Sequence, residues 1–226
     1  MFKKLIESLR QRPLLNQMIS EMEQMLAEAV HMYRPTVDIL AGKSDLSAEQ
    51  HTLIYETDRT INHIQRKIRK QLVEHLSFSP GSDVPISLIL MSISKDAERI
   101  GDICKNMYQL AEEMGGQLGS GRYKERFSKI LQETEALFAP TVEAFRNSDK
   151  ELGHKAVEKS RSLAKECDSV LVELMKDNLS CREAVLYTLL ARHLKRICAH
   201  LSNIASSVVM PLHKIDYFDE QWGDVF

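Results

Sequence analysis

The chain has 226 residues, 43% hydrophobic and 27% charged, with only 9 Gly and 6 Pro. That composition excludes a disordered polar chain and a collagen-like one, and the length admits one ordinary domain or two small helical modules. The 30 Lys+Arg stand against 32 Asp+Glu for a formal charge of -2, which removes a global field that would draw in nucleic acid.

The longest strongly apolar run, ISLILM at 86–91, is far short of the roughly 20 residues that cross a bilayer. No transmembrane helix is expected. The opening MFKKLIESLRQR puts Phe2, Leu5, Ile6 and Leu9 on one helical stripe beside Lys3, Lys4, Arg10 and Arg12. Such a segment either packs on the bundle or lies on a membrane surface. It lacks the uncharged core of a signal peptide.

From Leu14 to Leu40, Leu15, Ile19, Met22, Met25, Leu26, Ala29 and Met32 recur at three- and four-residue spacing, which predicts a first helix. Pro35 predicts a kink or break near Tyr33, and Gly42 is suited to the C-terminal cap. Ser47 with Gln50 forms a capping box for a second helix, whose stripe is Ile54, Ile61, Ile64, Ile68 and Leu72 and which stops near Ser77. Asp83 is the expected N-cap and Pro85 an early position of a third helix over about 86–114.

GGQLGSG then reads as a flexible midpoint linker. Beyond it, FAPTVEAFRNSDKEL from Phe138 echoes YRPTVDILAGKSDL from Tyr33, and an internal duplication explains the echo. Ser148 with Glu151 and Ser180 with Glu183 are two further capping boxes, opening helices of about 150–176 and 181–209. KDAERIGDICKNM from Lys95 aligns without gaps on RHLKRICAHLSNI from Arg192. The expected fold is therefore all-α, two tandem three-helix bundles over residues 1–115 and 116–226, with up-down topology. The tail beyond Pro211 carries Tyr217, Phe218, Trp222 and Phe226 among acids, and either folds back or docks on a partner.

The four cysteines, Cys104, Cys167, Cys181 and Cys198, have no zinc-ribbon spacing and read as thiols of a reducing compartment, which points to the cytoplasm. There is no phosphate-binding glycine loop, no His-Glu-x-x-His and no nucleophile elbow, so no enzyme is predicted. The basic cluster Arg66, Lys67, Arg69 and Lys70 is local, and basic residues elsewhere alternate with acids, so no nucleic-acid partner is predicted either.

The sharpest polar feature is Glu98-x-x-x-Asp102, two carboxylates one turn apart on one helical face. Their repulsion calls for a cation: a bound metal, or a lysine or arginine from a neighbouring helix. Asp58 and Asn62, supplemented by Glu56, offer further oxygens on the preceding helix if the polar faces meet. In the second half His193 and His200 are seven apart and lack a third ligand.

The run Asp96-Ala-Glu98-Arg99-Ile-Gly101-Asp102, with Asn106 four residues on, resembles the signature of the PhoU domain on the third helix of a three-helix bundle. The duplication and the length agree with that family. The resemblance implies an all-α, often homodimeric protein that binds iron, zinc or similar ions and represses the phosphate-starvation response. Its implied partners are the phosphate ABC transporter, with its ATPase, and a sensor histidine kinase, through which it would reach the membrane. Carried over by position, the third-helix ligands are Glu98 and Asp102, and the second-helix positions fall near Glu56, Asp58 and Asn62. In the second half Lys195 and Ala199 occupy the ligand positions, with Arg161 and Lys165 near the second-helix ones. An accessory protein of another phosphate or anion transporter, and a structural homo-oligomer, are the alternative functions consistent with the sequence.

Overall fold

The computed structural model describes residues 13–78, 81, 83–119, 121–211 and 215. The basic segment at residues 1–12 and the aromatic tail with Tyr217, Phe218, Trp222 and Phe226 lie outside the described residues. Among the described residues six helices follow in order: α1 (Pro13–Leu40), α2 (Ala48–Phe78), α3 (Val84–Met114), α4 (Arg122–Asn147), α5 (Lys150–Leu174) and α6 (Cys181–Val209). Among the described residues no helix is long and apolar enough to cross a membrane.

Each set of three packs as a bundle, α1 with α2 and α3, and α4 with α5 and α6. The bundles meet through α1 on α4 and α3 on α6, so α2 and α5 are the outer helices. The predicted stripes are the buried faces: Leu15, Met22, Met25, Leu26, Ala29 and Met32 of α1 are buried, as are Ile54, Ile61, Ile64, Ile68 and Leu72 of α2. Ile19 is only partly buried. One hydrophobic cluster runs from Leu15 in α1 to Val208 in α6, so the apolar faces of both halves are closed by each other. At the α1–α4 seam Arg34 pairs with Glu135 at 2.7 Å, and Arg146 holds both oxygens of Glu23 at 2.9 and 2.8 Å, a crossed pattern that requires antiparallel helices.

The helix boundaries follow from caps, with three departures from the sequence expectation. Ser47 and Gln50 exchange hydrogen bonds at 3.2 and 3.1 Å, and Ser180 with Glu183 closes a full capping box. Ser148, however, is the left-handed residue ending α4 (φ 53°), and the next residue, Asp149, caps α5 by accepting from the Leu152 amide at 3.0 Å. Asp83 makes no cap, because its carboxylate lies 2.9 Å from His75 Nε2 at the end of α2. Nor does Pro35 break α1, which continues for five residues to Leu40 with Val37, Ile39 and Leu40 buried. That burial offsets a proline cost of about 3 kcal/mol. Pro140 sits inside α4 in the same way.

The glycine-rich midpoint is anchored rather than loose. Gly115 caps α3 at φ 78°, Leu118 is buried, and its amide donates to the Leu40 carbonyl at 2.9 Å. A β-carbon on Gly42 would lie 2.6 Å from Gln117 Oε1, so the α1–α2 turn and the midpoint are in close contact.

Candidate functional site

The carboxylates singled out in the sequence lie on neighbouring helices, and a glycine brings those helices together. A β-carbon on Gly101 of α3 would lie 2.8 Å from Ile61 Cδ1, so α2 and α3 approach there more closely than a side chain permits. One turn before Ile61 on α2 stands Asp58, and one turn after Gly101 on α3 stands Lys105. The Lys105 ammonium donates to Asp58 Oδ2 at 2.7 Å and lies 3.7 Å from Asp102 Oδ1. Arg99 donates from Nη1 to Asp102 Oδ2 at 3.0 Å, and its Nε lies 3.6 Å from Glu98 Oε2.

Asp58, Glu98 and Asp102 thus form one acidic patch graded from the helix seam outward, with side-chain exposures of 11%, 17% and 29%. Burial, and then the charge of Asp102, raise the Glu98 pKa against the opposing pull of Arg99 and Arg69. Burial works against the charge of Lys105, but its bond to Asp58 and the fields of Asp58 and Asp102 outweigh that and hold its pKa above the ordinary lysine value. The cation that the acidic pair calls for is therefore supplied within the chain, by Lys105 on the same helix as well as Arg99.

The remaining second-helix positions contribute less. Glu56 is exposed, and Asn62 turns its amide nitrogen to Asp58 Oδ2 at 3.5 Å. Asp58, Glu98 and Asp102 have the donor chemistry of a hard or borderline metal site. Among the described residues, however, no three His, Cys, Asp or Glu side chains converge on one point as metal ligands would. A metal at this patch has to compete with Lys105 for Asp58 and Asp102.

The equivalent place in the second half carries the opposite charge. Lys195 donates to both oxygens of Asp168 on α5, each at 2.7 Å, and Ala199 is exposed. Lys195 and Ala199 supply no carboxylate there. The two histidines are separately engaged: His200 Nδ1 lies 2.8 Å from Asp96 Oδ1, which also accepts from Asn203 Nδ2 at 3.0 Å. His193 Nδ1 is buried without a partner, and burial followed by the charge of Arg196 lowers its pKa, so it is neutral at neutral pH. Asp96, 6% exposed, thus binds α3 to α6 across the two bundles, a role that Asp96 in the signature run does not announce.

Sequence reasoning missed Lys105 and the packing role of Gly101. Lys105 was readable as the residue three beyond Asp102, on the same helical face; its bond to Asp58 depends on the α2–α3 register, which periodicity does not carry.

Comparison with known proteins agrees with this architecture. A family model described as the PhoU domain matches twice, over residues 15–111 and 127–208. The phosphate-specific transport system accessory protein PhoU homolog 1 of Thermotoga maritima is 23% identical over 217 residues, covering 88% of this chain and 86% of that protein. Among solved structures, the phosphate transport system regulatory protein PhoU from Streptococcus pneumoniae superposes with a TM-score of 0.74 at 19% identity, over 92% of this chain and 97% of that one. PhoU from Pseudomonas aeruginosa gives a TM-score of 0.67 at 23% identity over the same shares. Because one domain model accounts for both halves of the duplication and each match falls on one of the two bundles, the chain belongs to the PhoU family.

Proposed function

We propose that this chain is a non-catalytic regulator of phosphate uptake and phosphate-responsive signalling that acts by protein–protein contact. The observation that carries this reading is the PhoU-domain match over both bundles, joined to a relative described as an accessory protein of phosphate-specific transport. Two fused bundles with polar outer helices present broad surfaces for partners. The partners we assign are the ATPase of a phosphate ABC transporter and a sensor histidine kinase, contacted from the cytoplasm by a homodimer. Pull-down of the purified chain with each partner, in nucleotide-free and ATP-bound states, tests the assignment. Association with either supports it, and failure to associate with both in every state overturns it.

The acidic patch of the first bundle is the place we assign to a metal. Asp58, Glu98 and Asp102 are the residues that would hold an iron, zinc or similar ion, with Glu56 and Asn62 at the margin. Such an ion would supply positive charge to the acidic seam between α2 and α3, and with it a surface a partner could read. Protein purified without chelator should carry metal by elemental analysis, and Glu98→Ala with Asp102→Ala should abolish it. An unchanged metal content in the double variant removes the assignment.

A further inference from the structure

The ungapped match of α3 on α6 makes the second bundle an altered copy of the acidic seam. Lys195 stands for Glu98, Ala199 for Asp102 and Ser202 for Lys105. Two of the three replacements remove side-chain volume, and at that place α5 and α6 leave an open groove of about 720 Å³. That volume lies in the range of small-molecule sites, about 300–1,000 Å³. The same replacements, with Arg161 and Lys165 contributed by α5, invert the sign of the wall. Of the two carboxylates that also line the groove, Glu158 and Asp168, the latter has both oxygens bound to Lys195.

A second observation concerns the same groove. Ser160 lines it at 1% exposure, and its hydroxyl is buried without a hydrogen-bond partner among the described residues. A buried hydroxyl left without a partner is destabilising, because its lost hydration goes uncompensated. Helical serines ordinarily relieve that cost on a carbonyl of the preceding turn, as Ser206 does on Asn203 at 2.8 Å. Ser160 makes no such bond among the described residues. Guanidinium, ammonium and hydroxyl donors around one concavity are the set that recognises a tetrahedral, multiply charged oxyanion, because each oxygen takes a charge-assisted hydrogen bond.

We infer that the groove between α5 and α6, lined by Ser160, Arg161, Lys165, Lys195 and Ser202, is a binding site for a phosphoryl-bearing small anion. The site is distinct from the acidic patch of the first bundle. It is argued from the groove alone, so it stands or falls apart from the choice of transporter or kinase partner. The phosphoryl group is the shared chemistry, and it can belong to inorganic phosphate or to a larger phosphorylated molecule that uses more of the cavity.

Isothermal titration calorimetry of the full chain with inorganic phosphate, with tripolyphosphate and with ATP separates these sources, with sodium sulfate and sodium chloride as controls. Saturable binding is expected for at least one phosphoryl probe, with the preferred probe identifying the source. Arg161→Gln combined with Lys165→Gln should weaken it by about tenfold or more, since each substitution removes a charge-assisted hydrogen bond. Ala199→Glu, at an exposed helical position, reintroduces a carboxylate with little demand on folding and should also abolish binding, whereas Lys105→Gln in the first bundle should leave it unchanged. The inference is overturned if folded wild-type protein, checked by circular dichroism, gives no saturable heat with any phosphoryl probe. It is equally overturned if Ala199→Glu and the double variant bind as tightly as wild type, or if chloride competes as well as phosphate.

Discussion

Tyr33 and Phe138, the aromatic residues that open the two copies of the Pro-Thr-Val repeat, meet with ring centroids 5.6 Å apart and planes at 47°. Equivalent residues of a duplication touch one another only near the axis relating the copies, so the seam between the bundles runs through this pair. Tyr33 is fully buried and Phe138 2% exposed. The Tyr33 hydroxyl donates to the Leu131 carbonyl at 2.9 Å, and burial raises its pKa well above the ordinary phenol value, so it remains a donor. The repeat is therefore a packing device that joins the halves.

Phe138→Ala should cost about 3–5 kcal/mol, the range for emptying a large aromatic site. Tyr33→Phe keeps the ring and loses one hydrogen bond, for about 0.5–1.5 kcal/mol. Adding Tyr33→Ala to Phe138→Ala in a double-mutant cycle should reveal a coupling of about 0.5–1.5 kcal/mol, read from urea denaturation. Strict additivity would mean that the rings are neighbours without being partners.

Gly101 yields a sharper local prediction. An added methyl would meet Ile61 Cδ1 at 2.8 Å, and Ile61 is 1% exposed, so it has little room to yield. Alanine gains about 1 kcal/mol of helix propensity over glycine, against an overpacking cost of about 1–3 kcal/mol. Gly101→Ala should therefore be neutral to destabilising, and Gly101→Val clearly destabilising. Ile61→Val removes the offending Cδ1, so the pair Gly101→Ala with Ile61→Val should recover the propensity gain in thermal melts. A Gly101→Ala variant more stable than wild type without that partner would show that the close approach relaxes freely.

These two residues also mark the limit of what the sequence discloses. Helix count, stripes and the Ser47 and Ser180 caps were legible because they depend on neighbours within one turn. Ser148 and Asp149 compete for one cap, and the left-handed conformation of Ser148 decides between them. Asp83 was lost as a cap to His75, eight residues away on another helix. The Glu98–Asp102 pair was visible as one helical face, and Asp58 as an oxygen donor on the preceding helix, whose meeting with that face the spacing left open. The Lys105–Asp58 bond spans 47 positions and depends on how closely α2 approaches α3, which Gly101 sets and no local spacing records. The groove of the second bundle was hidden for the same reason: Ala199 and Ser202 look unremarkable until the helix opposite is in place.

The raised pKa of Glu98 makes stability depend on pH in a definite direction. The folded state binds this proton more tightly than the unfolded chain, because burial and Asp102 oppose the charged form. Its contribution to stability is therefore full below the unfolded glutamate pKa of about 4.3 and is lost as pH rises through the folded-state value. Glu98→Gln removes the like-charge repulsion and should stabilise chelator-treated protein at neutral pH by on the order of 0.2–0.5 kcal/mol. The advantage should vanish as pH is lowered toward the acid side of that range. Denaturation curves at neutral and acid pH check both the sign and the convergence, and a Glu98→Gln variant less stable than wild type at neutral pH would show that Arg99 and Arg69 outweigh the repulsion.

The cysteines divide by environment, and their reactivity should divide with it. Cys104, Cys167 and Cys198 are buried, and burial raises all three thiol pKa values: that of Cys167 to about 12, that of Cys198 to about 11 and that of Cys104 well above the ordinary range. Since the thiolate is the nucleophile, these three are protected twice, by access and by protonation. Cys181 is exposed in the first turn of α6, next to the Ser180 cap. Brief treatment with a maleimide at about pH 8 should label one thiol per folded chain, mapped to Cys181 by peptide mass spectrometry. Cys181→Ser should leave the folded protein unlabelled, and denaturant should expose all four thiols of the wild type. Labelling of Cys167 or Cys198 in the folded chain at a rate near that of Cys181 would require α5 and α6 to part in the native state, and with them the wall of the anion groove that Cys198 helps to line.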